Sequence, residues 1–157
     1  MSILATTALI ATTAPLAWVR IAPSDVARWH VDPMQVTRAP KPPHEGGWLV
    51  RPGKANAEPT VFAMNPDALL SAFDEVARAT PRTKLLAGGP DEGQATYISR
   101  STVIGFPDYT SVRAIPDKDG AALVIWARNR FGKSDFGANR ARVEDWLARI
   151  ETHLQVR

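Results

Sequence analysis

The sequence contains no cysteine, which excludes disulfide bonds, thiolate catalysis and thiolate metal sites. It also lacks the excess of positive charge that is typical of nucleic-acid-binding proteins, because its formal net charge is only +3. Neither a high glycine content nor low complexity suggests a fibrous or disordered protein. The 157 residues therefore indicate one globular domain with some peripheral chain, and no nucleic-acid partner.

Metal-ligand spacing is also missing from the sequence. His30 and His44 have no second ligand at a suitable distance along the chain and no partner acid in register. Their ordinary interpretation is as surface or hydrogen-bonded histidines. We therefore expect neither a metal nor another cofactor in this protein.

One long stretch, Met1 to Val19, carries no charged side chain. Its length is near the lower limit for a membrane-spanning helix, although its threonines and Pro15 make it weakly hydrophobic. We expect residues 1–19 to form an uncleaved membrane anchor, with a buried N-terminal helix of a soluble protein as the alternative. The domain is expected on the periplasmic side. Arg20 and Arg28 favour the cytoplasmic side by the positive-inside rule, so the orientation stays open.

Residues 20–59 are rich in proline, which breaks any long periodicity. We predict that this segment is a Pro-rich arm rather than part of a core. Trp18, Trp29 and Trp48 are expected to pin it to the domain surface, because large apolar side chains gain free energy by burial. The globular domain itself is predicted to span residues 60–157.

Residues 60–157 show the pattern of an α+β domain. A capping Asn65 followed by Pro66, with apolar residues at helical spacing, predicts a helix over about 66–79. A second amphipathic helix is predicted over about 139–154. We predict an antiparallel meander of four to five strands with both helices packed on one face. The strands are expected at Thr83–Ala87, Ala95–Ile104, Tyr109–Ile115 and Ala121–Phe131.

A tight hairpin at Pro116–Gly120 would place Val112 opposite Ile125 on the face that the helices cover. The same register, continued across the preceding turn, places Arg100 opposite Arg113. Because like charges directly opposed destabilise a sheet, we expect acids or a bound anion between them. A solvated basic face is the alternative. The residues predicted to share this second face are Ser111, Arg113, Val124, Trp126, Arg128 and Arg130.

The loop after the last predicted strand carries several arginines around one acid, Asp135. Its glycines can bring backbone N–H groups close to an anion. Asn139 is expected to cap the last helix, and Asp135 to hold an arginine in a structural clasp. Ser134 and Asp135 also suggest a nucleophile with its orienting acid, but no histidine is placed as a base and the neighbouring lysine should point away.

The sequence resembles the domain-of-unknown-function family DUF1499 at Phe106–Asp108, at Arg113 and over the segment 128–142. The resemblance covers roughly Thr60–Ile150 and consists of an aromatic-Pro-Asp turn and a later S-R-x-G-x-S-D-x-G-x-N-x-x-R pattern. Asn129 departs from it, because the family commonly has serine there. The resemblance implies a small bacterial or plastid protein, often with an N-terminal hydrophobic segment, and no established activity. The matching residues are Arg130, Gly132, Ser134, Asp135, Gly137, Asn139 and Arg142.

The function expected from the sequence is that of a non-catalytic, membrane-tethered module that binds an anionic lipid or small molecule on the arginine-rich face and loop. One alternative is a hydrolase-type enzyme acting on a phosphate or carboxylate substrate. Another is a purely structural envelope protein. No catalytic residue is assigned, and the oligomeric state stays open. The expected ligand-binding residues are Arg100, Arg113, Arg128, Arg130, Ser134, Asp135, Asn139 and Arg142.

Overall fold

The structure is a computed structural model that describes residues 18–41 and 45–155. The predicted membrane anchor, residues 1–19, therefore lies outside the described residues except for its last two positions. Over the two described ranges, no helix is both long enough and apolar enough to cross a membrane.

The described residues contain six strands, which form one antiparallel sheet. They are β1 (Gly47–Val50), β2 (Val61–Phe62), β3 (Thr83–Gly89), β4 (Gln94–Arg100), β5 (Pro107–Asp117) and β6 (Gly120–Asn129). The spatial order is β1-β6-β5-β4-β3, and β2 pairs with β6 on the same edge as β1. The predicted antiparallel meander is confirmed by β3 to β6, and β1 and β2 extend it by two strands.

The same part of the chain contains a helical turn at residues 18–21 and the α-helices α1 (Val26–Trp29), α2 (Pro66–Ala79) and α3 (Ala138–Gln155). Helix α2 begins as predicted, because the side-chain oxygen of Asn65 accepts a hydrogen bond from the N–H of Ala68 at 2.8 Å. The predicted range of α2 is confirmed, and α3 is one residue longer at each end than predicted. The predicted α+β class is therefore confirmed.

The main core lies between the sheet and the two long helices, α2 and α3. Trp146 of α3 is fully buried and packs edge-on against Phe73 of α2, with 5.3 Å between the ring centroids. Its indole N–H donates to the hydroxyl of Thr80 at 2.8 Å. The hydroxyl of Tyr97 in β4 donates to Asp74 at 2.7 Å, and burial together with this bond raises the pKa of Tyr97 above its ordinary range.

Residues 18–36 cover the opposite face of the sheet, and we call them the strap. Trp29 of the strap is 8% exposed and stacks on Tyr109 of β5, with 3.9 Å between nearly parallel rings. Leu49 of β1 is also fully buried. The segment 20–59 thus supplies a strand and a second, smaller apolar layer, and the sheet extends across the predicted boundary at residue 60.

Strand register confirms one predicted pairing and corrects another. Val112 lies opposite Ile125 as predicted. The predicted pairing of Arg100 with Arg113 is wrong, because Arg100 pairs with Pro107 and Arg113 pairs with Gln94. The reason is that β4 ends at Arg100, where the hydroxyl of Ser101 accepts the N–H groups of Gly105 and Phe106 and closes a loop instead of a tight turn.

Candidate functional site

Arg128 of β6 lies between the sheet and the strap and is 6% exposed. Its guanidinium lies 4.0 Å from the ring centroid of Trp126 and donates to the backbone carbonyl of Trp29 and to the hydroxyl of Ser111. Among the described residues, no carboxylate forms an ion pair with Arg128. Burial lowers the pKa of Arg128 to about 10, so the side chain stays charged at neutral pH.

Two further arginines of the same sheet face also bind the strap. Arg130 donates to the backbone carbonyl of Pro23 at 2.8 Å and to the hydroxyl of Tyr109 at 3.2 Å. Arg113 forms an ion pair with Asp32 at 2.7 Å. The arginine-rich face predicted from the sequence therefore exists, but in this structure its cations hold the strap rather than an open surface.

The loop between β6 and α3 is organised by Asp135. Its carboxylate accepts the backbone N–H groups of Gly137 at 3.1 Å and Asn139 at 2.9 Å, and the side-chain amide of Asn139 at 2.7 Å. The prediction that Asn139 caps α3 is wrong, because Asn139 lies inside the helix and Asp135 satisfies the free N–H groups.

The predicted clasp between Asp135 and an arginine is indirect. Asn139 is fully buried and its side-chain oxygen accepts a hydrogen bond from Arg142 at 2.8 Å. Arg142 also forms an ion pair with Asp108 of β5 at 3.0 Å, and both side chains are largely buried. Within residues 18–41 and 45–155, no arginine forms an ion pair with Asp135 itself. A chain of polar contacts, Asp135–Asn139–Arg142–Asp108, thus fixes α3 to the sheet.

The remaining polar residues of the loop also make internal contacts. The hydroxyl of Ser134 accepts the N–H of Phe136 at 3.1 Å. Asn129, where the DUF1499 pattern has serine, donates its amide to the carbonyls of Phe131 and Gly132. A Cβ atom at Gly46 would lie only 2.3 Å from the Asn129 side chain, so a larger residue at position 46 would displace the Asn129 amide.

Asp108 gives a testable pH dependence. Burial raises the pKa of its carboxyl above the ordinary 3.8, although the ion pair with Arg142 acts in the opposite direction. Its contribution to stability is therefore fully present below pH 3.8 and is lost as the pH rises through the raised pKa of the folded protein. We expect Asp108→Asn to remove this decline and to change the free energy of unfolding at neutral pH by less than about 1 kcal/mol, because the amide still offers Arg142 an acceptor.

Urea unfolding of both proteins between about pH 3 and pH 8 measures this difference. Asp145→Asn, which removes the exposed partner of Arg149, is the matched control and should leave the pH profile unchanged. A loss of about 3 kcal/mol in Asp108→Asn at neutral pH would show instead that the charged pair is strongly stabilising.

A cavity of about 510 Å³ opens beside the strap at the edge of the sheet formed by β3 and β4. We call it the basic groove. Arg20 reaches it from the strap and donates to the carbonyl of Ile104 at 2.8 Å, while Arg100 donates to the carbonyl of Gly105 at 2.9 Å. Among its lining residues, all in the described part of the chain, four are cationic and none is acidic. They are Arg20, Arg82, Lys84, Ile98, Arg100, Ser101, Thr102 and Gly105.

Arg100 is the predicted ligand residue that lines the basic groove. Arg82 and Lys84 were missed. Lys84 lies in the predicted strand Thr83–Ala87, and Arg82 directly precedes it. Lys84 pairs with Ile98, on the same face as Arg100, only because the register of β3 and β4 shifts between Leu85 and Ala87, and the sequence pattern does not indicate this irregularity. Arg20 has no local signal, because its contact with Ile104 joins residues 84 positions apart.

A second cavity, of about 450 Å³, lies between α2 and α3. Its walls are mainly apolar, and Glu75 lies in them beside Arg149 and His153, so charges of both signs are present and a preference for anions does not follow. In the ranges that the structure covers, no group of three or more histidine, aspartate or glutamate side chains could hold a metal ion.

Comparison with known proteins gives one match. The family model described as "Protein of unknown function (DUF1499)" matches residues 25–150. The matched range includes α1, all six described strands and most of α3, so it begins well before residue 60 and takes in most of the strap. No curated protein and no solved structure matches the chain.

Proposed function

The chain belongs to the DUF1499 family, and we propose that it is a membrane-tethered, non-catalytic module that binds an anionic ligand in the basic groove. The tether is the uncharged stretch 1–19 of the sequence. The ligand group is a phosphate or a carboxylate, carried by a small molecule or by a lipid. The observation that carries the proposal is the lining of the groove, which brings four cationic side chains together without an acid.

Three of the four cations of the groove are held in place by contacts within the protein. Arg20, Arg82 and Arg100 each donate to backbone carbonyls nearby, which fixes the direction of the guanidinium groups. A guanidinium has five N–H donors, so further donors remain for an anion. Arg82 also adopts a left-handed backbone conformation, with a φ of 60°, which costs free energy in residues other than glycine. Gathering like charges in this way favours a negatively charged occupant.

The arginines outside the groove are bonded to other parts of the protein, which favours the groove as the binding site. Arg113, Arg128 and Arg130 hold the strap, and Arg142 joins Asn139 and Asp108. Asp135 caps α3, and the Ser134 hydroxyl accepts a backbone N–H in its own loop. The contacts of these residues thus favour structural roles over a hydrolase mechanism.

The proposal is tested by titrating the full chain, in a non-ionic detergent at low salt, with inorganic pyrophosphate. We expect the double variant Arg82→Gln/Lys84→Gln to bind the probe roughly tenfold to a hundredfold more weakly, because a hydrogen bond to a charged group contributes about 1.5–3 kcal/mol. Isothermal titration calorimetry measures the affinity directly. Added salt should weaken binding to the wild-type protein, since the groove is open to solvent.

The control is Lys54→Gln/Lys118→Gln, which removes the same charge from two exposed positions away from the groove. This variant should bind pyrophosphate as the wild-type protein does. If the groove variant and the wild-type protein bind the probe equally well, or if the wild-type protein binds none, the proposal is refuted. Thermal unfolding of each variant verifies that a loss of binding is not a loss of folding.

A further inference from the structure

The basic groove opens at one end of the sheet, which we call the loop end. Here β4 ends and β5 begins, and β6 also ends, as the pairings of Arg100 with Pro107 and of Asp108 with Asn129 show. Loops 101–106 and 130–137 therefore extend from the same end of the sheet.

Large apolar side chains are exposed at the loop end. Val103 is 84% exposed in the first of these loops, and Phe136 is 97% exposed in the second, just before α3 begins. Phe136 also has a φ of 53°, a conformation that costs free energy for a residue with a side chain. Trp18 and Ile21 are exposed in the helical turn that Arg20 fastens to the first loop. Apolar side chains at loop tips, flanked by cations, are typical of surfaces that enter the membrane interface.

The charges of the protein are divided between the two ends of the sheet. The loop end carries the basic groove and the exposed Lys133, and its acids Asp108 and Asp135 are bound by Arg142 and by N–H groups at the start of α3. The opposite end consists of the β3–β4 and β5–β6 turns and carries four acids, Asp91, Glu92, Asp117 and Asp119, with Lys118. A bilayer with anionic lipids attracts the first end and repels the second.

The position at which the described structure begins favours the same orientation of the domain relative to a bilayer. The uncharged residues 1–17 join the described structure at Trp18, directly beside the loop end. A segment that enters a bilayer from this point would bring Val103 and the mouth of the groove toward the headgroups. The attachment point of residues 1–17, the exposed apolar side chains of the two loops and the cations of the groove thus lie on one side of the protein.

We propose that the loop end docks on the surface of an anionic bilayer, with Val103 and Phe136 in the interface and a lipid headgroup phosphate in the basic groove. This inference rests on the proposed function, because it names the source of the anion that the groove binds. Docking presents the groove to the plane in which headgroup phosphates lie.

The absence of cysteine makes a direct test simple, because any single introduced cysteine carries the only label. The full chain is reconstituted into phosphatidylcholine vesicles with or without phosphatidylglycerol. An environment-sensitive fluorophore is attached at Val103→Cys, at Phe136→Cys or, as the matched control at the opposite end, at Lys118→Cys. In anionic vesicles we expect the two loop labels to shift to the blue and to be quenched by nitroxide lipids roughly twofold or more above the control label.

The groove is tested in the same system. Adding Arg82→Gln/Lys84→Gln should reduce quenching at Val103→Cys to near the level found without phosphatidylglycerol. Equal quenching at Val103→Cys and Lys118→Cys, or quenching that ignores lipid charge, overturns the docking proposal. If pyrophosphate binds in the groove while the loop labels stay unquenched, docking fails and the proposed function stands. If the loop labels are quenched as expected while wild-type protein binds no pyrophosphate, docking stands and the groove as a site for free anions fails.

Discussion

Trp29→Ala is expected to lower the free energy of unfolding by about 3–5 kcal/mol, although Trp29 lies in a Pro-rich strap outside the helix-covered core. The side chain is 8% exposed and stacks on Tyr109, and the guanidinium of Arg128 lies 5.5 Å from its ring centroid. Truncation would remove the apolar ring that covers Arg128, whose charged guanidinium is already buried.

Urea unfolding followed by far-ultraviolet circular dichroism measures the effect, and hydrogen exchange over residues 18–36 reports whether the strap opens. Trp18→Ala is the matched control, because Trp18 is 57% exposed, and it should cost less than about 0.5 kcal/mol. A loss below about 1 kcal/mol in Trp29→Ala would mean that the strap lies on the sheet without stabilising it.

Trp146→Ala should produce a loss of similar size, about 3–5 kcal/mol, on the other side of the sheet. Trp146 is fully buried against Phe73 and Tyr97, so truncation to alanine removes a large volume from the core. The hydroxyl of Thr80 would lose its indole donor but keep a hydrogen bond from Arg149 at 3.0 Å. The expected loss therefore comes mainly from the cavity rather than from an unpaired polar group.

Trp146→Phe separates these contributions, because it keeps an aromatic ring in the core and removes the N–H donor. We expect it to be less destabilised than Trp146→Ala by about 1–3 kcal/mol in the same urea experiment. Because Trp29 and Trp146 lie on opposite faces of the sheet, the effects of the two alanine substitutions should add within about 0.5 kcal/mol. Strong non-additivity would show that the strap and the helices stabilise each other through the sheet.

The elements that the sequence predicts well are those with a local cause. Asn65 and Pro66 begin α2 through a cap that involves only neighbouring residues. The meander follows from turns that join consecutive strands. Strand β1 is different, because its four residues lie in a Pro-rich segment and belong to the sheet only through pairing with β6, as in Gly47 with Arg128. Such a pairing leaves no periodicity in so short a strand.

The same distinction applies to the candidate site. Alternation along β5 and β6 is enough to place Ser111, Arg113 and Arg128 on one face of the sheet. The partner of that face is Trp29, whose carbonyl receives a hydrogen bond from Arg128 across 99 positions of the chain. The wrong pairing predicted for Arg100 has another cause. A loop that begins at Ser101 replaces the expected tight turn, so Arg100 lies opposite Pro107 instead of Arg113. Long-range contacts and loop closure were thus beyond what local patterns can predict.

The strap also determines how far the domain can move from whatever holds its N-terminus. Residues 20–36, released and extended, would span on the order of 60 Å, enough to let a tethered domain swing freely. In the structure these residues are bound to the sheet through Trp29, Arg128 and Arg130, so they do not extend as a flexible linker. On the proposal that residues 1–17 anchor the chain in a bilayer, the domain stays in contact range of the membrane and samples only a thin layer of solution next to it.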